Sequence, residues 1–187
     1  MRKANAIISA LLLVLFLIHG IAGGFQLLGW LPGGLRVLTV LARAMVVLLV
    51  LHAAIGIKLT ADAVRKGKKS GAFYARENRV YWTRRISGLA LMVLIAVHVV
   101  VFLGSRGEVY RLTAFGMPQL VGQILMVLCL LVHILINIRP LLISFGIGGF
   151  RIYIKDVLFV LSVVLLFGAA AFAVYYLRWN VLWRVGG

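Results

Sequence analysis

A chain of 187 residues that is 64% hydrophobic, with mean hydropathy +1.11, carries more apolar side chains than a soluble core of that size can bury. Its net charge of +16, from twenty Lys and Arg against four Asp and Glu, would point to nucleic acid in a soluble protein. In so apolar a chain it points instead to a membrane surface and its anionic lipid. The lone Cys129 excludes a disulfide framework, a Cys-x-x-Cys-His attachment site and a cysteine-held iron–sulfur cluster.

The first apolar run, Ala6 to Leu28, follows Met1-Arg2-Lys3 and carries His19. It is longer than the apolar stretch of a secretory leader and lacks a small-x-small cleavage site, so it reads as a membrane span. The turn Gly29-Trp30-Leu31-Pro32-Gly33-Gly34 ends it. The second run, Leu38 to Leu59, carries Arg43 and His52 and gives way to a charged stretch from Lys58 to Arg85, in which an amphipathic segment is expected over Ala61 to Trp82. The third, Ile86 to Gly104, carries His98, and a connection from Ser105 to Pro118 leads to the fourth, Leu120 to Ile138, with His133. A loop from Arg139-Pro140 through Lys155 precedes the fifth, Val157 to Leu177, which has no histidine.

Each run is near the ~20 apolar residues that a spanning helix needs. No connection is long enough to fold by itself and no internal repeat is evident, so residues 1–187 read as one all-α integral membrane domain of five transmembrane helices. Trp30, Trp82, Trp179 and Trp183 fall at span ends, where aromatic belts meet the lipid head groups.

The charges give this domain a direction. Fourteen of the twenty basic residues, including Arg2, Lys3, everything from Lys58 to Arg85, Arg139, Arg151 and Lys155, collect on one side. Only Arg36, Arg106, Arg111, Arg178 and Arg184 lie on the other. The positive-inside rule then gives a cytoplasmic N-terminus and an outer C-terminus. Asp62, Glu77, Glu108 and Asp156 all sit in or beside loops, which argues against a carboxylate relay carrying protons through the bilayer.

The chain has four histidines, one in each of the first four spans. Ionisable groups inside a bilayer are costly and mark function, and neutral imidazole is the commonest metal ligand a protein offers. At ~1.5 Å rise per residue, His19 and His98 both lie about 20 Å from the cytoplasmic helix ends, and His52 and His133 about 9 Å. The expected pairs are therefore His19 with His98 at an outer level and His52 with His133 at an inner one.

Two imidazoles from different helices at equal depth can grip one iron from opposite sides, so the first four helices are expected to form a bundle holding two non-covalent haems. Arg43, near the outer level, is a candidate partner for a haem propionate, as are Lys58, Arg84, Arg85 and Arg139 near the inner one. Gly20, Gly23, Gly56 and Gly88 lie near the ligands, where they serve either close porphyrin approach or close helix packing. An unrelated reading stays open at this point: a small transporter or cofactor-free scaffold whose histidines only hydrogen-bond across the bundle.

The segment Tyr74-Ala75-Arg76-Glu77-Asn78-Arg79-Val80-Tyr81-Trp82-Thr83-Arg84-Arg85-Ile86-Ser87-Gly88, running on to His98, resembles the cytochrome b membrane anchor of succinate dehydrogenases and fumarate reductases. In that family an Arg-x-Ser-Gly stretch opens a helix whose histidine follows about ten residues later, as Arg85-Ile86-Ser87-Gly88 precedes His98 here. Five spans with one histidine on each of the first four are similar to its single-chain dihaem branch, so the resemblance covers nearly the whole chain.

It implies two b haems, His52 and His133 binding the one nearer the cytoplasm and His19 and His98 the outer one. It also implies a flavoprotein and an iron–sulfur subunit on the cytoplasmic face, docked on the basic stretch from Lys58 to Arg85. Electrons would pass between them and a membrane quinone, with menaquinone expected, and the whole complex could pair as a dimer. The chain by itself has no active site for succinate or fumarate. Several dihaem relatives use an acidic residue for quinone chemistry near the outer haem, and no such residue matches inside a helix here. Gln26, Trp30, Glu108 and Tyr110 are quinone candidates by their outer position alone. Cytochromes of other quinone-linked enzymes, such as formate dehydrogenase or hydrogenase, are the neighbouring alternative, although those gather their ligands on fewer helices.

Overall fold

The structure, a computed structural model, describes residues 1–70, 78–103, 112, 115–147 and 150–182. Among these the chain is helical throughout, in five long helices: α1 Arg2–Leu28, α2 Arg36–Ser70, α3 Arg79–Phe102, α4 Met117–Ser144 and α5 Phe150–Leu177. A π-helical turn, Arg178–Leu182, finishes α5. All five are long and apolar enough to cross a bilayer, which makes this a multi-pass membrane protein. Their outward faces carry exposed Val47, Val93, Phe159 and Leu166, the last at 72%, as lipid rather than water requires.

The helices run up and down, so one end of the bundle gathers the start of α1, the end of α2 and the start of α3 and is rich in Lys and Arg. At the other end α1 stops at Gly29, whose φ of 79° is the left-handed conformation that glycine adopts without strain. Arg178 reaches back from the π turn to the Leu28 carbonyl at 3.4 Å, placing a cation at the negative end of α1.

Every helix outruns its apolar run at one end or both. The second span was expected to end at Leu59, but α2 continues to Ser70, about 52 Å in all at 1.5 Å per residue. Its charged last third therefore extends the same helix past the ~30 Å hydrocarbon layer, because backbone hydrogen bonding continues where lipid ends. That replaces the expected amphipathic segment over Ala61 to Trp82 at its two ends, α3 already beginning at Arg79; residues 71–77 lie outside the described residues. Likewise α4 does not stop at Arg139-Pro140 but runs through Pro140 to Ser144, and α5 begins at Phe150. The expected loop from Arg139 to Lys155 shrinks accordingly.

Pro140 has no N–H, so the carbonyl four residues earlier, that of Ile136, loses its helical partner. Arg84 of α3 supplies one, its Nε donating to the Ile136 oxygen at 3.0 Å. A helix can keep a proline inside a membrane when a neighbour satisfies the freed carbonyl in this way.

The packing order decides where the site lies. α1 packs on α2 and α4, α3 packs closely on α4 and only marginally on α2, and α5 covers α1 and α4 from outside. Among the described residues α1 does not pack on α3, nor α2 on α4. The first four helices thus form a ring in which α1 and α3 face each other across one diagonal, α2 and α4 across the other. The dry core sits at the end away from the basic residues, where Leu27, Leu112, Phe115, Phe172 and Tyr175 cluster. There the Tyr175 hydroxyl accepts the Leu112 N–H at 2.7 Å, and Asn180 donates to the Phe115 carbonyl at 2.7 Å.

Candidate functional site

The interior of the ring is hollow. A cavity of about 1350 Å³ runs along it, reaching Asn5, Arg84 and Arg85 at the basic end and Gln26, Thr39 and Arg43 at the other. One drug-sized ligand occupies roughly 300–1,000 Å³, so the space exceeds a single small-molecule site. All four histidines line it.

They meet in two pairs across the two diagonals. His19 on α1 faces His98 on α3 with ring centroids 6.1 Å apart and planes at 81°. His52 on α2 faces His133 on α4 at 6.5 Å and 90°. These are the pairs that equal depth along the helices predicts, and the geometry adds that their helices do not touch, so each pair spans open space. Among the described residues no group of three or more His, Cys, Asp or Glu converges; the imidazoles come in twos.

Hydrogen bonding fixes which ring nitrogen is available. His98 Nδ1 lies 2.7 Å from the carboxamide oxygen Oε1 of Gln123, an acceptor only, so Nδ1 carries the proton. His133 Nδ1 is 3.0 Å from the Ser87 hydroxyl, and His52 Nδ1 is 3.3 Å from the Ser9 hydroxyl. A hydroxyl has one proton, and each of these is donated elsewhere: Ser9 to the Asn5 carbonyl at 2.8 Å, Ser87 to the Arg84 carbonyl at 3.2 Å. With the hydroxyl proton on that carbonyl, each oxygen accepts from Nδ1–H. In a neutral ring this leaves Nε2 with its lone pair, the arrangement of an imidazole prepared to bind a metal.

The glycines divide by function. A Cβ at Gly20 would meet Val164 of α5 at 3.3 Å, so Gly20 serves helix packing; Gly24 serves it more strictly, a Cβ there colliding with the Phe167 ring. Gly23 and Gly56 line the cavity, as Gly20 and Gly24 do, but a Cβ at either would meet nothing within 4 Å. Each follows a histidine by four residues, His19 and His52, and so lies on the same helix face. Gly88 lies against the His133 ring, 3.4 Å from Cε1 to a Cβ built there.

Of the basic candidates, Arg85 is the most closely placed. It lines the cavity, its charge acts on both His52 and His133, its guanidinium lies 5.0 Å over the Tyr81 ring, and its Nε is buried with no partner among the described residues. Arg84 also lines the cavity but commits its Nε to Ile136. Arg43 is at the far end of the cavity and exposed to its opening. Lys58 and Arg139 lie on the exposed surface and do not line it.

Among the quinone candidates, Gln26 lines the cavity and donates its amide to the Pro32 carbonyl at 2.9 Å. Trp30 is stacked on Phe25 at 5.6 Å and is 72% exposed, away from the cavity lining. Glu108 and Tyr110 lie outside the described residues. Sequence reasoning passed over Ser9 and Gln123, although a carboxamide in the fourth apolar run was a visible signal. Ser87 was noticed only as part of a motif, because nothing in one dimension ties it to His133.

No family model, curated protein or solved structure matches the chain.

Proposed function

We propose that the chain is a dihaem cytochrome b that anchors a succinate dehydrogenase or fumarate reductase complex in the cytoplasmic membrane. It would pass electrons between a membrane quinone, menaquinone by expectation, and an iron–sulfur subunit. The observation that carries the haem part is the pair of facing imidazoles on each diagonal of a hollow ring. A metal–imidazole bond is about 2 Å long, so two rings held on one metal from opposite sides have centroids about 6 Å apart. The two pairs stand at 6.1 and 6.5 Å.

Two protein donors suit a metal whose other positions a macrocycle already fills, whereas a structural zinc site takes four and a catalytic one three. The rest of the lining fits a flat, apolar, dianionic group. Gly23 and Gly56 leave room against the helix backbone, the cavity walls are largely apolar, and the buried Nε of Arg85, which lines the cavity with His52 and His133, lacks among the described residues an acceptor that a propionate would provide. Arg43 is placed to meet a propionate at the outer end, and Lys58 and Arg139 can approach one only from the inner surface. Haem, when bound, supplies a one-electron couple. The chain's own residues would hold it, and Ser9, Gln123 and Ser87 orient three of the four imidazoles, those of His52, His98 and His133.

The assignment to succinate or fumarate chemistry rests on the resemblance through Arg85-Ile86-Ser87-Gly88 and the histidine order. On that reading the basic end faces the cytoplasm and α2 beyond Lys58 meets the flavoprotein and iron–sulfur subunits, which supply the dehydrogenase site this chain lacks. Gln26 at the outer mouth of the cavity is the described residue nearest to a quinone role.

A pyridine haemochrome assay on the purified protein tests the haem reading, with a ratio near two haems per chain expected. No haem in protein isolated with its partner subunits overturns it. Succinate:quinone activity of the isolated complex, lost when this chain is omitted, tests the rest.

A further inference from the structure

We propose that Gln123 is the positioning residue for His98, holding its imidazole in the Nδ1–H tautomer through the 2.7 Å bond to Oε1 and so tuning the outer pair separately from the inner one. The inference rests on the haem reading above. Gln123 sits on α4, ten residues before His133, yet serves the histidine of the other pair on α3. It is 1% exposed, and among the described residues its side chain makes one hydrogen bond, to His98, while its amide Nε2 has no partner. Burying a carboxamide with half of its groups unsatisfied works against stability, and an apolar residue of the same size would pack there without that cost. What the carboxamide provides is an acceptor for one imidazole proton.

The other contacts of His98 cannot provide it. Phe102 stacks on the ring at 4.6 Å and Phe172 meets it edge-on at 6.4 Å. These clamp the plane of the ring but are indifferent to which nitrogen carries the proton. The inner pair is supported differently, by the Ser9 and Ser87 hydroxyls at 3.3 and 3.0 Å. A buried amide oxygen at shorter distance draws the Nδ1 proton more strongly, raises the electron density of the ring and strengthens Nε2 as a donor, which favours the oxidised metal.

The test is an optical redox titration of the purified holo-complex carrying Gln123→Leu, with His98→Ala identifying the spectrum of the outer haem. Gln123→Leu should retain two haems and raise the midpoint potential of the outer one alone. The expected size is about a tenfold change in its oxidised-to-reduced ratio at fixed ambient potential, equivalent to 59 mV for one electron. Gln123→Glu, which keeps the acceptor and adds charge, should lower that potential.

Unmoved potentials in both variants, or equal shifts in both haems, overturn the proposal. Should Gln123→Leu lose the outer haem, the sign of the Gln123→Glu shift decides, downward in support and unchanged or upward against. A wild-type complex without haem defeats the underlying reading instead, and the haem assay distinguishes that outcome before any variant is made.

Discussion

The Nε of Arg84 donates to the carbonyl of Ile136 at 3.0 Å, and Ile136 is the residue that Pro140 leaves without an intrahelical partner. One side chain of α3 thereby repairs the proline gap of α4 one turn below His133, and the two helices are fixed in register beside the inner histidine pair.

A double-mutant cycle should expose this repair. Arg84→Met leaves a partly buried carbonyl unsatisfied and should cost about 1–3 kcal/mol. Pro140→Ala restores the missing N–H, so the same Arg84→Met change in that background should cost less than half as much. Unfolding in detergent, by heat or by SDS titration, reads both. Equal losses in the two backgrounds would separate Arg84 from the proline.

Two neighbouring glycines on α1 should respond oppositely to one added methyl. At Gly24 a Cβ would collide with the Phe167 ring, so Gly24→Ala should destabilise by about 1–3 kcal/mol by displacing that ring or α5 with it. At Gly23 the space is open, and Gly23→Ala should leave the melting temperature unchanged or slightly raised, because alanine favours helix. A matching loss at Gly23 would contradict the placement of the cavity.

Filling the cavity tests its use. Gly56→Leu and Gly23→Leu should leave the helical circular dichroism intact while lowering haem content, Gly56→Leu at the inner site beside His52 and Gly23→Leu at the outer site beside His19. Full haem content in both variants would show that the porphyrins do not enter this space.

The pairing of ligands predicts which signals disappear together. His52→Ala and His133→Ala should abolish one low-spin haem spectrum, and His19→Ala and His98→Ala the other, since each pair faces across 6.5 or 6.1 Å. Loss of a common haem from His19→Ala and His52→Ala would rule out ligation across the diagonals.

Orientation and docking can be read at the exposed end of α2. A cysteine in place of Lys68 should react with an impermeant maleimide only from the cytoplasmic side, given the weight of basic residues at that end. Charge reversal at Lys66, Lys68 and Lys69 together should release the flavoprotein and iron–sulfur subunits at lower salt than in the wild type, as a screened contact requires. Labelling from outside would invert the topology. Unaltered co-purification would move docking to another surface of the basic end.

The number of spans, the asymmetry of charge and the two levels of histidine are legible in the order of residues alone. Hydropathy, loop charge and helix rise are each functions of position along one chain, so the match of His19 to His98 and of His52 to His133 could be counted before any fold was known. Helix ends were less legible, because apolar content marks where lipid stops while hydrogen bonding carries α2 to Ser70 and α4 through Pro140. The rotation of each helix about its axis, by contrast, is set by packing and cannot be read along the chain. That rotation sets Gly20 and Gly24 against α5 but leaves open space over Gly23, brings the Arg84 Nε to the Ile136 carbonyl, and sets Gln123 of α4 against His98 of α3. Such partnerships depend on which faces meet when five apolar helices pack, and similar apolar patterns permit many rotations until the side chains of the neighbours select one.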